Sequence, residues 1–224
     1  MAIITLANPK GGSGKTTAAV VLATTLASNG GNVSIIDGDP EGWASQWEQA
    51  SQASAPLPVR TTTATEDTIL DVIDAEAQRS AFVVVDPEGS ASLLAAQAIA
   101  ASDLVLIPSQ ASSLDAKGAV KALRLVANQA RVICRPIAHR VLFTRTSAAI
   151  QTRAMRAIRA QLDAAGVPMM RTALVERAAF RDLLDYGGAL GDLDPREVAN
   201  LDKAIANARA FAAEVIEILK ESKP

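Results

Sequence analysis

Eight residues near the start of the chain combine glycines with two lysines in a pattern that can bind phosphate. Residues 10–17 read Lys-Gly-Gly-Ser-Gly-Lys-Thr-Thr, between an apolar segment and an alanine-rich one. Glycines let backbone N–H groups converge on phosphate oxygens, and a following helix directs its N-terminus at the anion. The pattern therefore predicts a phosphate loop in which Lys15 reaches the β- and γ-phosphates and the Thr16 hydroxyl binds Mg²⁺. The predicted phosphate-binding residues are Lys10, Gly11, Gly12, Ser13, Gly14, Lys15, Thr16 and Thr17.

Carboxylates follow two later apolar segments. Asp37 and Asp39 end one predicted strand, and Asp86 ends another and opens an Asp-x-x-Gly pattern that closes at Gly89. In α/β sheets the ends of the strands carry the groups that contact ligands. We expect Asp86 to hold Mg²⁺ through water and Gly89 to let the backbone approach the γ-phosphate. Asp37 either supports the Mg²⁺ site or caps a turn. Glu88 either faces solvent, which we favour, or serves as a second base.

Positive charge is concentrated in one part of the chain. Residues 117–181 carry a net charge of +11, whereas residues 1–116 carry −9. This distribution favours a nucleic-acid partner over the alternative, a solvated arginine-rich face. Aromatic residues do not interleave with these cations, so we expect sequence-independent contacts to duplex phosphates. The predicted DNA-binding residues are Lys117, Lys121 and Arg124 at i, i+4 and i+7, and Arg153, Arg156 and Arg159 at i, i+3 and i+6.

Composition excludes several classes of protein. The chain has 224 residues, of which 49% are hydrophobic and 3% aromatic, and it contains one cysteine and one histidine. A single cysteine excludes a disulfide framework, a structural zinc bound by cysteines and an iron–sulfur cluster held within one chain. Apolar runs are too short for a membrane span, and the first residues do not resemble a signal peptide. We expect a soluble cytoplasmic protein formed by a single domain over residues 1–224.

Apolar segments alternate with longer helical patterns along the whole chain. This alternation predicts an α/β fold, with a mostly parallel twisted sheet and helices on both faces. Strands are predicted at 3–7, 33–37, 58–62, 82–86, 104–108, 140–144 and 167–171, and helices at 16–28, 41–53, 66–79, 91–101, 114–130, 148–165 and 197–220. Residues 185–195 are predicted to be a surface loop. Trp43 and Trp47 are predicted to pack in the core, with a dimer contact as the alternative.

The eight-residue loop with its second lysine, Lys10, is the deviant Walker A pattern. The chain resembles the ParA/MinD family of dimerising ATPases, and is most similar to the small ParF-type proteins that segregate plasmids. Pro9 stands where the general motif has its first glycine. The resemblance is carried by 8–17, 37–40, 86–92, 107–108, 113–115 and 171–173. It implies a P-loop NTPase fold of the SIMIBI type with ATP and Mg²⁺ as cofactors.

The resemblance also implies roles for particular residues. Lys10 would reach across a sandwich dimer to the ATP of the partner, where a second cation neutralises charge on the γ-phosphoryl group. Asp39 would position the attacking water, so Lys10, Lys15 and Asp39 form the predicted catalytic set. Predicted adenine contacts are Thr144, Arg145 and the stretch following Arg171, including Thr172, with the DNA-binding surface as an equal alternative for Arg145. The predicted magnesium residues are Thr16, Asp37 and Asp86.

The function implied by the resemblance is the partition of plasmid or chromosome DNA. ATP would drive formation of a homodimer, the dimer would bind nonspecific double-stranded DNA in the nucleoid, and a ParB/ParG-like centromere-binding adaptor would stimulate hydrolysis. We expect no N-terminal helix-turn-helix domain and no stable membrane insertion. The alternatives are a MinD-like positioning ATPase attached to a membrane, and a metabolic P-loop ligase.

Overall fold

Six strands of the described residues pair side by side in one parallel sheet. The computed structural model describes residues 1–51, 59–110, 112–147 and 152–222, with side chains at all of these except 113–115. The strands are β1 (Ala2–Leu6), β2 (Val33–Gly38), β3 (Val59–Thr63), β4 (Phe82–Pro87), β5 (Leu104–Gln110) and β6 (Ala138–Thr144). The helices are α1 (Lys15–Ser28), α2 (Trp43–Ser51), α3 (Ile69–Ala77), α4 (Leu93–Ala101), α5 (Ser113–Val132), α6 (Arg153–Ala164), α7 (Ala178–Tyr186) and α8 (Leu201–Glu221).

The order of the strands brings the predicted chemical segments together. The sheet runs β3-β2-β4-β1-β5-β6, and each neighbouring pair is parallel. All the carboxyl ends therefore lie at one edge of the sheet, where the loop after β1 and the carboxylates that end β2 and β4 meet.

Helices cover both faces of the sheet, as predicted. Ile4 and Leu6 of β1 belong to a core formed with α1, α7 and α8, whereas Ile3 belongs to a core formed with α3 and α4. Alternate residues of a strand point to opposite faces, so a strand covered on both sides is apolar throughout. This explains why β4 and β5 in the middle of the sheet begin with continuous apolar runs rather than alternating ones.

The strand predicted at 167–171 is wrong. Met169 makes an isolated parallel bridge to Val141 of β6, and the ladder does not continue. It stops because the next two backbone N–H groups, of Arg171 and Thr172, donate to the Glu214 carboxylate of α8. A side chain of the last helix therefore takes hydrogen bonds that a strand neighbour would have taken.

The surface loop predicted at 185–195 is wrong over residues 187–190, which are buried. The buried turn packs on the end of α2, where the Trp47 indole N–H donates to the carbonyl of Gly188 (3.1 Å) and the Gly188 N–H donates to the Ser51 hydroxyl (2.8 Å). It follows α7, a short helix that the sequence analysis did not predict. Core packing is confirmed for Trp47, which is 1% exposed, and is wrong for Trp43, which is 53% exposed. The buried turn covers the end of α2 and leaves its first turn open.

Predicted element boundaries partly coincide with those observed. The helix predicted from residue 148 begins at Arg153 within the described residues. Residues 148–151 lie outside the described part of the chain, as do the first residue of the strand predicted at 58–62 and the last two of the helix predicted at 41–53.

Candidate functional site

The phosphate loop lies between β1 and α1 and is held by side chains from three strand ends. The Asn8 amide donates to the carbonyl of Pro108 (2.6 Å), and its oxygen accepts from the Lys10 N–H (2.9 Å). The side chain of Gln110 donates to the carbonyl of Gly12 (2.7 Å). Loop carbonyls that are bonded to β5 and β6 cannot turn toward a bound anion. Asn8 and Gln110 were not singled out in the sequence, although both adjoin strand ends.

The loop leads directly into α1. Gly14 adopts a left-handed backbone conformation with φ of 95° immediately before the helix. The Thr144 hydroxyl at the end of β6 donates to the carbonyl of Ser13 (2.7 Å), and the buried Ser13 hydroxyl has no partner among the described residues. The first free N–H groups of a helix bind anions, so this arrangement fits a phosphate at the start of α1.

Lys15 begins α1 and is directed inward. It is 7% exposed, and burial lowers the pKa of its ammonium group, whereas the charges of Asp86, Asp39 and Glu88 act to raise it. A buried ammonium group needs compensating negative charge, which the phosphates of a nucleoside triphosphate would supply. The structure thus brings Lys15 together with the two carboxylates to which the sequence analysis assigned roles.

Asp86 is fully buried at the end of β4. The pKa of its carboxyl group is raised to about 7, chiefly by burial and also by the charges of Asp37 and Asp39. The Lys15 ammonium and the nearby Thr16 hydroxyl, which lies outside hydrogen-bonding geometry, act to lower it. Within the described part of the chain, neither carboxylate oxygen has a hydrogen-bond partner. An unpartnered carboxylate beside a threonine hydroxyl fits Mg²⁺ and its water ligands, because Mg²⁺ prefers oxygen and retains water.

Asp86→Asn is expected to stabilise the protein at high pH in the absence of Mg²⁺ and nucleotide. A carboxyl group with a raised pKa in the folded state costs stability as pH rises from its unfolded value, near 4, to its folded value of about 7. The variant should therefore gain roughly 2–4 kcal/mol in free energy of unfolding at pH 8, and clearly less at pH 5. Urea denaturation at the two pH values measures the difference. The exposed Asp67→Asn is the control, and equal gains at both pH values would contradict this description of Asp86.

Asp37 acts as a cap in the structure. Its carboxylate accepts hydrogen bonds from the Ser45 N–H (2.8 Å) and hydroxyl (2.9 Å) on one oxygen, and from the Asp39 N–H (3.2 Å) on the other. Of the two interpretations of Asp37, this geometry favours the turn cap over support of Mg²⁺. The cap fixes the backbone that carries Asp39.

A cavity of about 440 Å³ opens beside Asp39. Glu88 and Glu66 also line it, and Glu88 is half-buried rather than facing bulk solvent. Gly89 lies against the phosphate loop, since a Cβ at this position would be 3.1 Å from the Cα of Gly11. The loop after β4 therefore reaches the phosphate loop and places the Glu88 carboxylate at the same opening as Asp39.

A second cavity, of about 200 Å³, lies on the other side of the loop. Gly14 and Thr17 form its floor, Thr144 and Arg145 one wall, and residues 174–177 with α7 the opposite wall. Its position beside the phosphate loop fits the base and ribose of a nucleotide. The residues lining the cavity that the sequence analysis missed are Leu174, Val175, Glu176, Arg177, Phe180 and Arg181.

Two of the three predicted adenine contacts line this cavity and the third does not. Arg145 is in a left-handed conformation (φ 50°), and its Nε lies 4.0 Å from a carboxylate oxygen of Glu176. Thr172 is not among the lining residues, and its N–H donates to Glu214 of α8 (2.8 Å). The wall is formed by residues 174–177, which follow Thr172 in the chain.

The basic side chains fall into an exposed group and a packed one. The exposed group, at the surface of α5 and α6, consists of Lys117, Lys121, Arg124, Arg153 and Arg156. Arg159 differs because its guanidinium carbon lies 4.9 Å from the centre of the Phe143 ring, and its buried Nε has no partner among the described residues. Arg159 therefore differs from the five exposed members of the predicted DNA-binding set in being half-buried and packed on an aromatic ring.

Helix α5 also touches the phosphate loop. A Cβ at Gly118 would be 2.8 Å from the Asn8 side-chain oxygen and 3.3 Å from the Cβ of Lys10. The basic residues Lys117 and Lys121 of α5 thus flank the position at which this helix packs on the loop.

Comparison with known proteins identifies the family. The family model described as VirC1 protein matches residues 1–220. The chain is also 37% identical over 222 residues to "Protein ParA" of Rhizobium radiobacter, covering 99% of both chains. The chain is a VirC1-type member of the ParA/MinD family. A further relative is "Protein virC1" of Rhizobium rhizogenes, with 30% identity over 84% of this chain and 82% of the relative. Another is "Maintenance of carboxysome distribution protein A" of Halothiobacillus neapolitanus, with 28% identity over 99% of this chain and 96% of the relative.

Solved structures share the fold of this ParA/MinD member. The complex of a Cyanothece McdA variant with ATP matches with a TM-score of 0.76 at 15% identity, covering 96% of each chain. MinD of Pyrococcus horikoshii with Mg-ADP matches with a TM-score of 0.72 at 18% identity, covering 99% of this chain and 98% of that one. The chain therefore has the P-loop ATPase fold of the family. No helix in the described residues is long and apolar enough to cross a membrane.

Proposed function

We propose that the protein is an ATPase that partitions DNA, in which ATP binding drives dimerisation and the dimer binds DNA without sequence preference. The observation that carries the proposal is the combination of a two-lysine phosphate loop with the exposed basic stripe Lys117, Lys121 and Arg124 on a helix packed against that loop. Similarity to "Protein ParA" over the whole chain supports it.

The geometry supports a separate role for each of the site residues. Lys15 and the N-terminus of α1 bind the phosphates, and Asp39 holds the attacking water at the mouth of the 440 Å³ cavity. Thr16 and Asp86 would hold Mg²⁺, which would neutralise negative charge on the phosphates. Lys10 acts on the nucleotide of the second chain in a homodimer, so hydrolysis depends on dimerisation.

The proposed partners are duplex DNA and an adaptor protein, and the proposed location is the nucleoid. Nonspecific duplex DNA binds the exposed group on α5 and α6, which places the protein in the cytoplasm on the nucleoid. A ParB/ParG-like adaptor on the DNA cargo stimulates hydrolysis and release. The site and the DNA surface belong to a single domain that spans residues 1–224.

Attachment to a membrane, as in the MinD-like alternative, is less well supported. An amphipathic helix binds lipid with its apolar face. The large apolar side chains of α8 as far as Leu219 are instead buried or partly buried against the core, and Glu214 is buried with them. The apolar face of α8 is thus committed to the fold, whereas the basic side chains of α5 and α6 are exposed.

The test is duplex binding by a variant with Arg153→Ala and Arg156→Ala, which leaves the packed Arg159 in place. Affinity for random duplex DNA should fall for all sequences alike, and the log–log salt slope should decrease by roughly 0.9 for each lost phosphate contact. Gel shifts with ATP, ADP and no nucleotide, over a series of salt concentrations, measure both quantities.

The control removes the same charge elsewhere, with Lys203→Ala and Arg209→Ala in the exposed part of α8. It should retain both the affinity and the salt slope. Wild-type protein that bound no DNA in any nucleotide state would overturn the partition function. A double arginine variant that bound as well as wild type would instead move the DNA surface to Lys117, Lys121 and Arg124.

A further inference from the structure

The wall of the 200 Å³ cavity is held in place by a side chain of the last helix. Asn207 of α8 uses both ends of its amide on one stretch of backbone: its oxygen accepts from the Val175 N–H (2.9 Å) and its nitrogen donates to the Ala173 carbonyl (2.8 Å). An asparagine that pairs with a backbone donor and acceptor together replaces a strand neighbour. Val175 itself lines the cavity.

A second side chain of α8 fixes the start of the same segment. The Glu214 carboxylate accepts from the Arg171 N–H (2.6 Å) on one oxygen and from the Thr172 N–H (2.8 Å) on the other. Glu214 is 6% exposed, so these are charge-assisted hydrogen bonds with little competition from water. Asn207 and Glu214 are seven residues apart, which places them two turns apart on one face of the helix.

Helix α8 is a rigid support for these two side chains. Ala208, Phe211 and Val215 are buried in the same core as α1, the helix that begins at the phosphate loop. The floor of the cavity is therefore fixed by α1 and its far wall by α8, and these two helices pack against each other. On its other side the segment bonds to β6 and the residues after it: the Leu174 N–H donates to the Phe143 carbonyl (2.9 Å), the Thr146 N–H to the Leu174 carbonyl (3.2 Å) and the Glu176 N–H to the Thr146 carbonyl (2.8 Å). The wall is therefore held between β6 and α8.

We propose that Asn207 and Glu214 are positioning residues that set the distance between residues 174–177 and the floor at Gly14 and Thr17, and so determine how strongly the base and ribose contribute to binding. This inference rests on the nucleotide-binding function proposed above. Neither side chain lines the cavity, so both act through the backbone of the wall.

The experiment compares two ligands in the presence of Mg²⁺: ATP, and inorganic tripolyphosphate, which lacks base and ribose. Asn207→Ala should weaken ATP binding about tenfold, because two backbone groups lose their partners and the wall loosens. Its affinity for tripolyphosphate should stay within about twofold of wild type, because the phosphate loop is untouched. Titration calorimetry measures both affinities, and Lys203→Ala, one turn earlier on the exposed side of α8, should leave both unchanged.

A second variant keeps the inference testable if Asn207→Ala does not fold. Glu214→Gln retains the shape and one acceptor oxygen, so it should weaken ATP binding by a smaller factor and again spare tripolyphosphate. Equal loss of both ligands, or no loss of either, would overturn the positioning role. Wild-type protein that bound tripolyphosphate and ATP equally would overturn it as well. Wild-type protein that bound neither ligand would overturn the proposed function itself, and the inference with it.

Discussion

Lys15→Ala is expected to abolish ATP binding and, with it, dimerisation and DNA binding. Lys15 is the cation that begins α1, and the structure buries it beside Asp86 and within the field of Asp39 and Glu88. Its removal leaves those carboxylates facing the phosphates without compensation, which reverses the local electrostatics. A loss of at least about a hundredfold in affinity is expected, since the cation acts where water is excluded.

Equilibrium titration with a fluorescent ATP analogue measures this loss, and analytical ultracentrifugation with ATP measures dimerisation. Lys203→Ala removes the same side chain from an exposed turn of α8 and serves as the matched control. Because Lys15 is buried, its removal could also affect folding, and thermal unfolding without nucleotide checks that the variant is folded. A folded variant with wild-type affinity for ATP would refute the assignment of Lys15.

Asp39→Ala is expected to bind ATP and dimerise but to hydrolyse ATP at least about a hundredfold more slowly. A residue that positions the attacking water acts in the transition state and contributes little to ground-state binding. The variant should therefore accumulate as a dimer bound to DNA. The substitution keeps the hydrogen bond from the Asp39 N–H to Asp37, and it removes the one that the Asp39 carboxylate accepts from the Glu41 N–H (3.0 Å).

Phosphate release under single-turnover conditions measures the chemical step directly. Glu88→Gln is the comparison, because Glu88 lines the same cavity as Asp39. A rate within about twofold of wild type for Asp39→Ala would remove the water-positioning role from this residue. A large defect in Glu88→Gln alone would transfer that role to Glu88.

The phosphate loop could be predicted from the sequence because its chemistry is local. Residues 10–17 form consecutive parts of one loop, and their spacing alone places them between a strand and a helix. The meeting of this loop with Asp39 and Asp86 was also predictable, because parallel strands bring their carboxyl ends to one edge.

The wall of the base cavity could not be predicted in the same way. It depends on a segment whose backbone bonds β6 on one side and the side chains of Asn207 and Glu214 on the other, both more than thirty residues away in sequence. Residues 167–171 have the composition of a strand, and tertiary contacts override that preference. Arg159 was likewise assigned by its spacing on α6, whereas the Phe143 ring, which belongs to β6, decides where its guanidinium lies.

The approach of Gly118 to Asn8 and Lys10 restricts how the basic surface of α5 can vary. One side of α5 is shaped by the phosphate loop, so any larger residue at position 118 would displace the loop along with the helix. The exposed side chains of Lys117, Lys121 and Arg124 lie next to this contact, within about a third of a turn of Gly118. Substitutions of these three exposed side chains leave the contact in place, whereas a change at position 118 has to be matched by a change in the loop. A library aimed at the proposed DNA surface should therefore randomise positions 117, 121 and 124 and keep glycine at 118.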